Sequence, residues 1–151
     1  MSIRLQIVTQ RFNPISMAIR ATTHSWASHA EFIDTHAGTT LGSRSIGGVK
    51  IRPCAKDHYS KVEQFNGPNI DKAYEWALTQ VGKPYDFSAI TGIVLNRNWH
   101  NESKWFCSEL VVVAFEKGGL PILSTRPSSA FWRITPRDLL LSRQLYYLGS
   151  G

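Results

Sequence analysis

Alternating apolar and polar residues dominate the first half of the chain. In the first such segment, Ile3, Leu5 and Ile7 alternate with polar neighbours, a period of two that indicates a half-buried strand. A short helix is predicted from Pro14 to Arg20. A glycine-rich stretch follows the second predicted strand and is interpreted as turns. The predicted strands are residues 3–9, 28–34, 49–52 and 61–65, and the glycines interpreted as turn residues are Gly38, Gly42, Gly47 and Gly48.

The second half of the chain has helical spacing instead. Apolar residues recur along one face from Ile70 to Val81, with Asn69 as the expected N-cap and a glycine and a proline closing the segment. A second helix is predicted from Cys107 to Lys117, stopped by the glycines at 118 and 119. It has almost no polar face, so we expect it to be buried.

A third helix and the overall composition complete the fold prediction. Pro136 stands at the first position of this helix, between Thr135 and Asp138, which form a capping-box-like pattern. With 151 residues, of which 42% are hydrophobic, the chain can bury one sizeable core. We therefore predict an α+β fold, an antiparallel sheet packed against helices, as one domain over residues 1–151.

Charge and cysteine content exclude several classes of protein. The formal charge is +6, but residues 1–75 hold 9 basic and 6 acidic residues and residues 76–151 hold 8 and 5, so each half carries +3 and no basic block exists. Two cysteines cannot form a disulfide framework. The longest apolar run, Leu110–Phe115, is too short to span a bilayer, and the N-terminus lacks a signal-peptide pattern. We expect a cytoplasmic protein, or one exported without a recognisable signal.

Cys107 is the first candidate for chemistry. It stands at the start of the predicted buried helix, where free amides and the helix dipole stabilise an anion, so a thiolate is favoured there. The amides of Cys107 and Ser108 could also donate to the oxyanion that forms when a thiolate attacks a carbonyl. The alternative is a small buried hydrophobic residue, which is how most free cysteines behave.

His29 is the best-placed base among five histidines. It lies on the predicted second strand, where Glu31 and Ile33 share its face because side chains alternate with a period of two. A Cys/His pair requires proximity in space and not in sequence. The remaining histidines fall at segment ends or in polar stretches, and they are His24, His36, His58 and His100.

Five short motifs, in a fixed order, resemble the NlpC-type papain-like cysteine hydrolases. Because the histidine strand precedes the cysteine helix, the chain is similar to their circularly permuted branch, which includes YiiX-like proteins and lecithin retinol acyltransferase relatives. The motifs are SHAEF at 28–32, GGVKIRP at 47–53, GKPYDF at 82–87, WFCSELV at 105–111 and TPRDL at 135–139.

The resemblance implies a thiol hydrolase with Cys107 as nucleophile and His29 as base and then acid. It implies an acyl-enzyme formed from a peptide or cell-wall-type amide, since the sequence is more similar to bacterial cell-wall amidases and phage-encoded members than to the lipid-processing branch. Cleavage or transfer at a lipid ester or amide stays open as an alternative. Tyr85 is expected to line the substrate pocket or to be a packed core tyrosine. No cofactor is expected.

The group that orients the imidazole is where the sequence departs from the family pattern. Permuted relatives carry a polar residue on the strand after the histidine, but residues 39–45 contain no carboxylate or imidazole. Glu31 is the nearby carboxylate, although two residues along one strand separate side chains by roughly 7 Å. Glu31 is proposed as the orienting residue, with the alternative that it pairs with Arg44 or Arg20 and that Ser43 or a backbone carbonyl holds His29.

Two rival interpretations come from other residue types. Zinc is suggested by the histidines at 24, 29 and 36 and by Cys54 four residues before His58, but the spacings do not repeat, so we expect no metal. Five tryptophans and five tyrosines among 17 basic residues could form a stacking, phosphate-binding surface, so a non-catalytic nucleic-acid-binding domain is kept as an alternative. Because the charge is unclustered, nucleic acid is not the expected partner. Cys54 has no assigned role.

Overall fold

The computed structural model describes residues 2–10, 13–88, 103–118, 120–123 and 134–151. In these residues a strand and a helix come first, four strands follow them, and three helices then precede a last strand. In chain order the elements are β1 (Ile3–Gln10), α1 (Pro14–Thr23), β2 (His29–Asp34), β3 (Thr39–Arg44), β4 (Gly48–Pro53), a 3-10 turn (Lys56–His58), β5 (Tyr59–Asn66), α2 (Ile70–Leu78), α3 (Cys107–Gly118), α4 (Pro136–Leu140) and β6 (Tyr146–Ser150).

The six strands form one sheet with the order β4-β3-β2-β1-β5-β6. Every neighbouring pair is antiparallel, and β2 is hydrogen-bonded on both sides, to β1 and to β3. The predicted α+β fold with an antiparallel sheet packed against helices is therefore confirmed. An interior strand such as β2 has little freedom, because both of its edges are fixed by backbone hydrogen bonds.

The core lies between the sheet and helices α2 and α3. Phe32 of β2 meets Phe115 of α3 and Tyr74 of α2, with ring centroids 5.9 Å and 6.0 Å apart. Every residue of α3 from Cys107 to Phe115 is buried, as the absence of a polar face predicts. At its C-terminal end, Gly118 lies so close to α2 that an added Cβ would come within 2.5 Å of the Ala73 nitrogen. Gly119 lies outside the described residues.

One strand replaces a stretch that the sequence predicted as turns. The two turns are there, at residues 35–38 and 45–47, but residues Thr39–Arg44 between them form β3. The prediction was wrong at Gly42, which is a strand residue. An added Cβ at Gly42 would lie 2.6 Å from the Cβ of Glu31 on β2, so this glycine permits close approach of the neighbouring side chain.

The ends of the predicted elements differ in three places. Helix α2 ends at Leu78 and is followed by turns, earlier than the Val81 end that the periodicity predicted. Asn69 does occupy the N-cap position, but it adopts a left-handed conformation with φ of 51° and its side chain makes no capping bond. Strand β6 was not predicted, because most of its residues are exposed and show no alternation; pairing with β5 holds it.

The remaining predicted elements are confirmed. The strands expected at 3–9, 28–34, 49–52 and 61–65 are β1, β2, β4 and β5, and α1 runs three residues beyond its predicted end. At α4, the Asp138 carboxylate accepts the backbone N–H of Thr135 at 2.7 Å, as a capping box requires. Among the described residues, no helix is long and apolar enough to cross a membrane.

Candidate active site

Strand β2 carries His29 and Glu31 on the same face, and their side chains are in direct contact. The His29 Nε2 atom lies 3.0 Å from Oε2 of Glu31, and both side chains are buried. Two such positions along a strand are expected to hold their side chains roughly 7 Å apart. Both side chains are long enough to reach each other across this distance. Glu31 is therefore placed where an orienting group would have to be.

The Glu31 carboxylate receives hydrogen bonds from three strands besides its own. On Oε1 it accepts the side-chain amide of Gln6 from β1 at 2.8 Å and the hydroxyl of Tyr59 from β5 at 2.6 Å. Arg44 of β3 donates through Nη2 to both oxygens at 2.9 Å and through Nε to Oε2 at 3.2 Å. The sequence offered either His29 or an arginine as the partner of Glu31; the structure has both His29 and Arg44 in contact with it.

These contacts decide the charge of Glu31. Burial alone would raise its pKa, but the positive charges of His29 and Arg44, with the hydrogen bonds of His29 and Tyr59, hold the pKa well below its usual range. The negative charge acts in turn on its neighbours. Burial and the Glu31 charge together raise the pKa of Tyr59, so its hydroxyl keeps the proton that it donates.

His29 is the link between Glu31 and Cys107. Burial alone would lower its pKa, but the Glu31 charge, a hydrogen bond with Cys107 and the Cys107 charge outweigh burial and raise the pKa to about 9. Because Nε2 is already bonded to Glu31, the ring nitrogen left for the thiol is Nδ1. The fold thus brings together the cysteine, histidine and glutamate that the sequence predicted as a site, although 78 positions separate residues 29 and 107.

Cys107 occupies the first position of helix α3. The amide of Leu110 donates to the Phe106 carbonyl at 3.0 Å, which makes Phe106 the N-cap. The amides of Cys107 and Ser108 therefore have no acceptor within the helix, as at every helix start. The Ser108 hydroxyl donates to the Ile134 carbonyl at 2.6 Å and ties the helix start to the segment before α4.

The start of α3 is fixed against the sheet through the residues before it. Trp105 exchanges backbone hydrogen bonds with Pro84 and Asp86, both at 3.1 Å, as a short parallel bridge. The Ser43 hydroxyl of β3 donates to the Trp105 carbonyl at 2.6 Å. Ser43 thus positions the cysteine's segment, and the alternative that it holds His29 is not what the structure shows.

Tyr85 lies beside Cys107 in a small apolar cluster. Its ring packs edge-on against Phe106 with centroids 5.9 Å apart, and Ile19 and Ile15 of α1 complete the cluster. Burial and then the Cys107 charge raise the pKa of Tyr85. Cys107 itself is 1% exposed, so α1 and these aromatic residues cover the thiol.

Sequence reasoning missed two of the residues around Glu31. Gln6 lies at a polar position of an alternating strand, a pattern that predicts exposure, yet it is 1% exposed. Tyr59 stands just before the predicted start of its strand. Neither carries a local signal, since what makes them partners of Glu31 is the order of strands in the sheet. That order places β1 next to β2 and β5 on the far side of β1, in a way that no local pattern shows.

The other candidate residues lie elsewhere. His24 caps the end of α1 with a φ of 50°, and His36 and His58 are in turns; all three are exposed. His100 lies outside the described residues. Cys54 is a free, partly buried cysteine that follows β4.

A structural comparison supports the fold. No family model and no curated protein sequence matches the chain. A solved structure, the metalloprotein YiiX from Escherichia coli O157:H7, superposes with a TM-score of 0.73 at 18% identity, covering 98% of this chain and 96% of that one. The chain has the YiiX fold. The YiiX-like part of the resemblance seen in the sequence is therefore confirmed at the level of fold.

The description of YiiX as a metalloprotein calls for a test of this chain. In the portion of the chain that the structure describes, no three His, Cys, Asp or Glu side chains come together in a way that could hold a metal ion. Both oxygens of Glu31, the carboxylate in contact with His29, are already bonded to protein donors. Cys107, His29 and Glu31 therefore do not fit a metal site.

Proposed function

We propose that the protein is a thiol hydrolase that cleaves an amide bond, of a peptide or of a cell-wall-type substrate, through an acyl-enzyme on Cys107. The observation that carries this proposal is the buried chain of contacts from Cys107 through His29 to Glu31. A thiol, an imidazole and a group that orients the imidazole are the three components that nucleophilic catalysis by cysteine requires.

In the proposed first step, His29 takes the thiol proton and the Cys107 sulfur attacks the carbonyl carbon of the substrate. A carbon–sulfur bond forms, and the negative charge moves to the carbonyl oxygen, where the amides of Cys107 and Ser108, which have no acceptor within the helix, can donate to it. The imidazolium then gives its proton to the leaving nitrogen as the carbon–nitrogen bond breaks. A thioester and a free amine result.

In the second step, water replaces the amine. His29 accepts a proton from the water, the hydroxide oxygen attacks the thioester carbon, and the carbon–sulfur bond breaks to release a carboxylic acid and the thiolate. Glu31 fixes the ring orientation throughout and stabilises the imidazolium. It stays ionised itself, as the low pKa that His29 and Arg44 impose on it requires.

A lipid ester or amide is the second candidate substrate, and the surroundings of the thiol favour it. Cys107 is covered by apolar side chains from Ile15, Ile19 and Phe106. A substrate must displace part of this cover to reach the sulfur, and an apolar acyl group could replace the contacts that are lost. A peptide amide would have less apolar surface with which to replace the displaced contacts.

The experiment that tests the proposal is trapping of the acyl-enzyme. The protein is prepared with Cys54→Ser, so that Cys107 is the one thiol, and is mixed with a panel of muropeptide-type amides and of medium-chain acyl esters. Intact mass spectrometry should show an adduct with the mass of the acyl group at Cys107, followed by turnover. Cys107→Ser is the matched control, and it should neither turn over nor give a thioester adduct.

The outcomes separate the alternatives. Adducts from amides support the first candidate and adducts only from acyl esters support the second. If no substrate of either type acylates Cys107 and a general thiol reagent does not label it either, the hydrolase proposal fails. Salt-sensitive binding of an oligonucleotide by the same unlabelled protein would instead support the nucleic-acid-binding alternative.

A further inference from the structure

We propose that Arg44 is a positioning residue that keeps Glu31 ionised and so keeps a proton on His29, beside the Cys107 sulfur. This inference rests on the proposed thiol chemistry, because it concerns how the same three residues share their protons. Arg44 is not one of the three predicted site residues, but its guanidinium contacts the buried Glu31 carboxylate directly.

The contact is direct and involves both oxygens of the carboxylate. Arg44 Nη2 lies 2.9 Å from each oxygen of Glu31, and its Nε lies 3.2 Å from Oε2. The Glu31 side chain is 0% exposed and that of Arg44 is 17% exposed, so solvent screens this ion pair little. The Tyr59 hydroxyl accepts from Arg44 Nη2 at 2.6 Å and donates to Glu31 Oε1, which fixes the direction of its proton.

The role of Arg44 follows from a count of buried charges. Thiolate, imidazolium, carboxylate and guanidinium sum to zero when all four groups are charged. Without the guanidinium the sum is −1 in a buried site, and the His29 imidazolium alone then balances two buried anions, which favours protonation of the carboxylate. The nearest proton is the one that Glu31 shares with His29. Loss of Arg44 therefore favours a neutral acid and a neutral imidazole, which leaves the thiol with no cation to stabilise its anion.

Among the residues that the structure describes, the other charged and titratable groups around Glu31 do not replace Arg44. Arg52 of β4 is close enough for its pKa to be lowered, by its burial first and then by the Arg44 charge. Its guanidinium, however, donates to backbone carbonyls of the β3–β4 hairpin, including Gly42 at 3.2 Å and Gly48 at 2.9 Å. Beyond β4, Cys54, when ionised, raises the pKa of Arg44 and of Tyr59, as the last of the causes that act on each. From β1, the partner is the uncharged amide of Gln6.

Arg52 is therefore a matched control for Arg44. Arg44→Met and Arg52→Met each remove one positive charge from adjacent strands, but only the first removes donors from the carboxylate. Arg44→Lys keeps the charge and loses the two-oxygen geometry. All variants are made with Cys54→Ser, so that labelling reports on Cys107 alone.

The experiment is the rate of iodoacetamide labelling of Cys107 from pH 4 to pH 10, with folding of each variant checked by circular dichroism. In Arg44→Met we expect the acid limb of the profile to move up by about one pH unit or more, the size expected when a close opposite charge is removed. Arg44→Lys should return most of this shift, and Arg52→Met should leave the limb in place. A merely structural role would lower stability in Arg44→Met and leave the limb unmoved.

Two further outcomes distinguish failure of the proposed function from failure of the inference about Arg44. If Cys107 of the parent protein shows no His29-dependent labelling below pH 8, the proposed function fails, and this inference fails with it. If the parent is labelled and the acid limb of Arg44→Met does not move, only the inference about Arg44 is overturned.

A second pair of variants covers the case in which Arg44→Met does not fold. Glu31→Gln and the double variant Glu31→Gln/Arg44→Met differ only in Arg44, and the double variant holds neither charge of the buried pair. If Arg44 acts through Glu31, the two proteins have the same acid limb. A difference of more than about half a pH unit between them would show that Arg44 acts by another route and would overturn the inference.

Discussion

Gly42 controls how closely β3 approaches Glu31, and Gly42→Ala is the substitution that tests this most sharply. The added Cβ would lie 2.6 Å from the Cβ of Glu31 and 3.4 Å from its Oε2 atom. Since carbon atoms in contact stand roughly 3.5–4.0 Å apart, one of the two strands must move by about 1 Å. Such overpacking costs about 1–3 kcal/mol of the free energy of unfolding.

The added methyl group should also push the Glu31 side chain away from His29. Their hydrogen bond is 3.0 Å long, so a lengthening of about 0.5 Å already ends it. A hydrogen bond to a charged group contributes about 1.5–3 kcal/mol, which corresponds to a labelling rate of Cys107 about 10- to 100-fold lower at pH 6. Urea unfolding measures the first effect, and iodoacetamide labelling of the folded protein, in the Cys54→Ser background, measures the second.

Gly38→Ala is the matched control within the same hairpin. Gly38 has a φ of +67° and no atom within 4 Å of an added Cβ, so alanine there costs about 1–2 kcal/mol through backbone strain without touching Glu31. We expect both variants to lose stability and only Gly42→Ala to lose reactivity. A folded Gly42→Ala protein that is labelled at the parent rate would refute the idea that the position of Glu31 matters.

Three further predictions concern pH and packing. Because the pKa of Glu31 lies below its unfolded value of 4.5, its ionisation stabilises the fold above that pH, and this stability is lost as the pH falls further. Glu31→Gln should therefore flatten the dependence of the urea midpoint on pH between about pH 4.5 and pH 3. An unchanged slope would contradict this. Because the pKa of His29 is raised to about 9, kcat/KM for an amide substrate should fall above that pH as the proton for the leaving nitrogen is lost, and constant activity to pH 10.5 would argue against this assignment. Gly118→Ala places a Cβ 2.5 Å from the Ala73 nitrogen and should lower the free energy of unfolding by about 1–3 kcal/mol, measured in urea, without altering Cys107 labelling at pH 6. A loss of labelling in the folded protein would show that the packing of α2 against α3 also affects the reactivity of Cys107.

The sequence predicted most elements whose pattern is local. Helix α3 is apolar on nearly every side, and β1 alternates with a period of two, so both were found close to their observed ends. Strand β3 was missed because Gly42 resembles a turn residue until its neighbour across the sheet is known. Strand β6 was missed because pairing with β5, a partner about 85 residues earlier, stabilises it more than its own pattern does.

The candidate site shows the same division. Cys107 and His29 were predicted from a helix start and a strand, and the contact of Glu31 with both His29 and Arg44 joins two alternatives that the sequence left open. Gln6 and Tyr59 could not be predicted from the sequence, because the sheet order β2-β1-β5 decides which side chains surround the Glu31 carboxylate. Nonlocal strand order thus sets the electrostatics of a site whose reactive residues have local signals.

The most direct test of the account is the pH dependence of Cys107 alkylation in the Cys54→Ser protein and in the same protein with His29→Gln. We expect rapid labelling well below pH 8 in the first protein, because a protonated imidazole lies against the sulfur, and a large loss of that labelling in the second. Two identical profiles, both rising only near the value of about 8.5 typical of a free cysteine, would contradict the account.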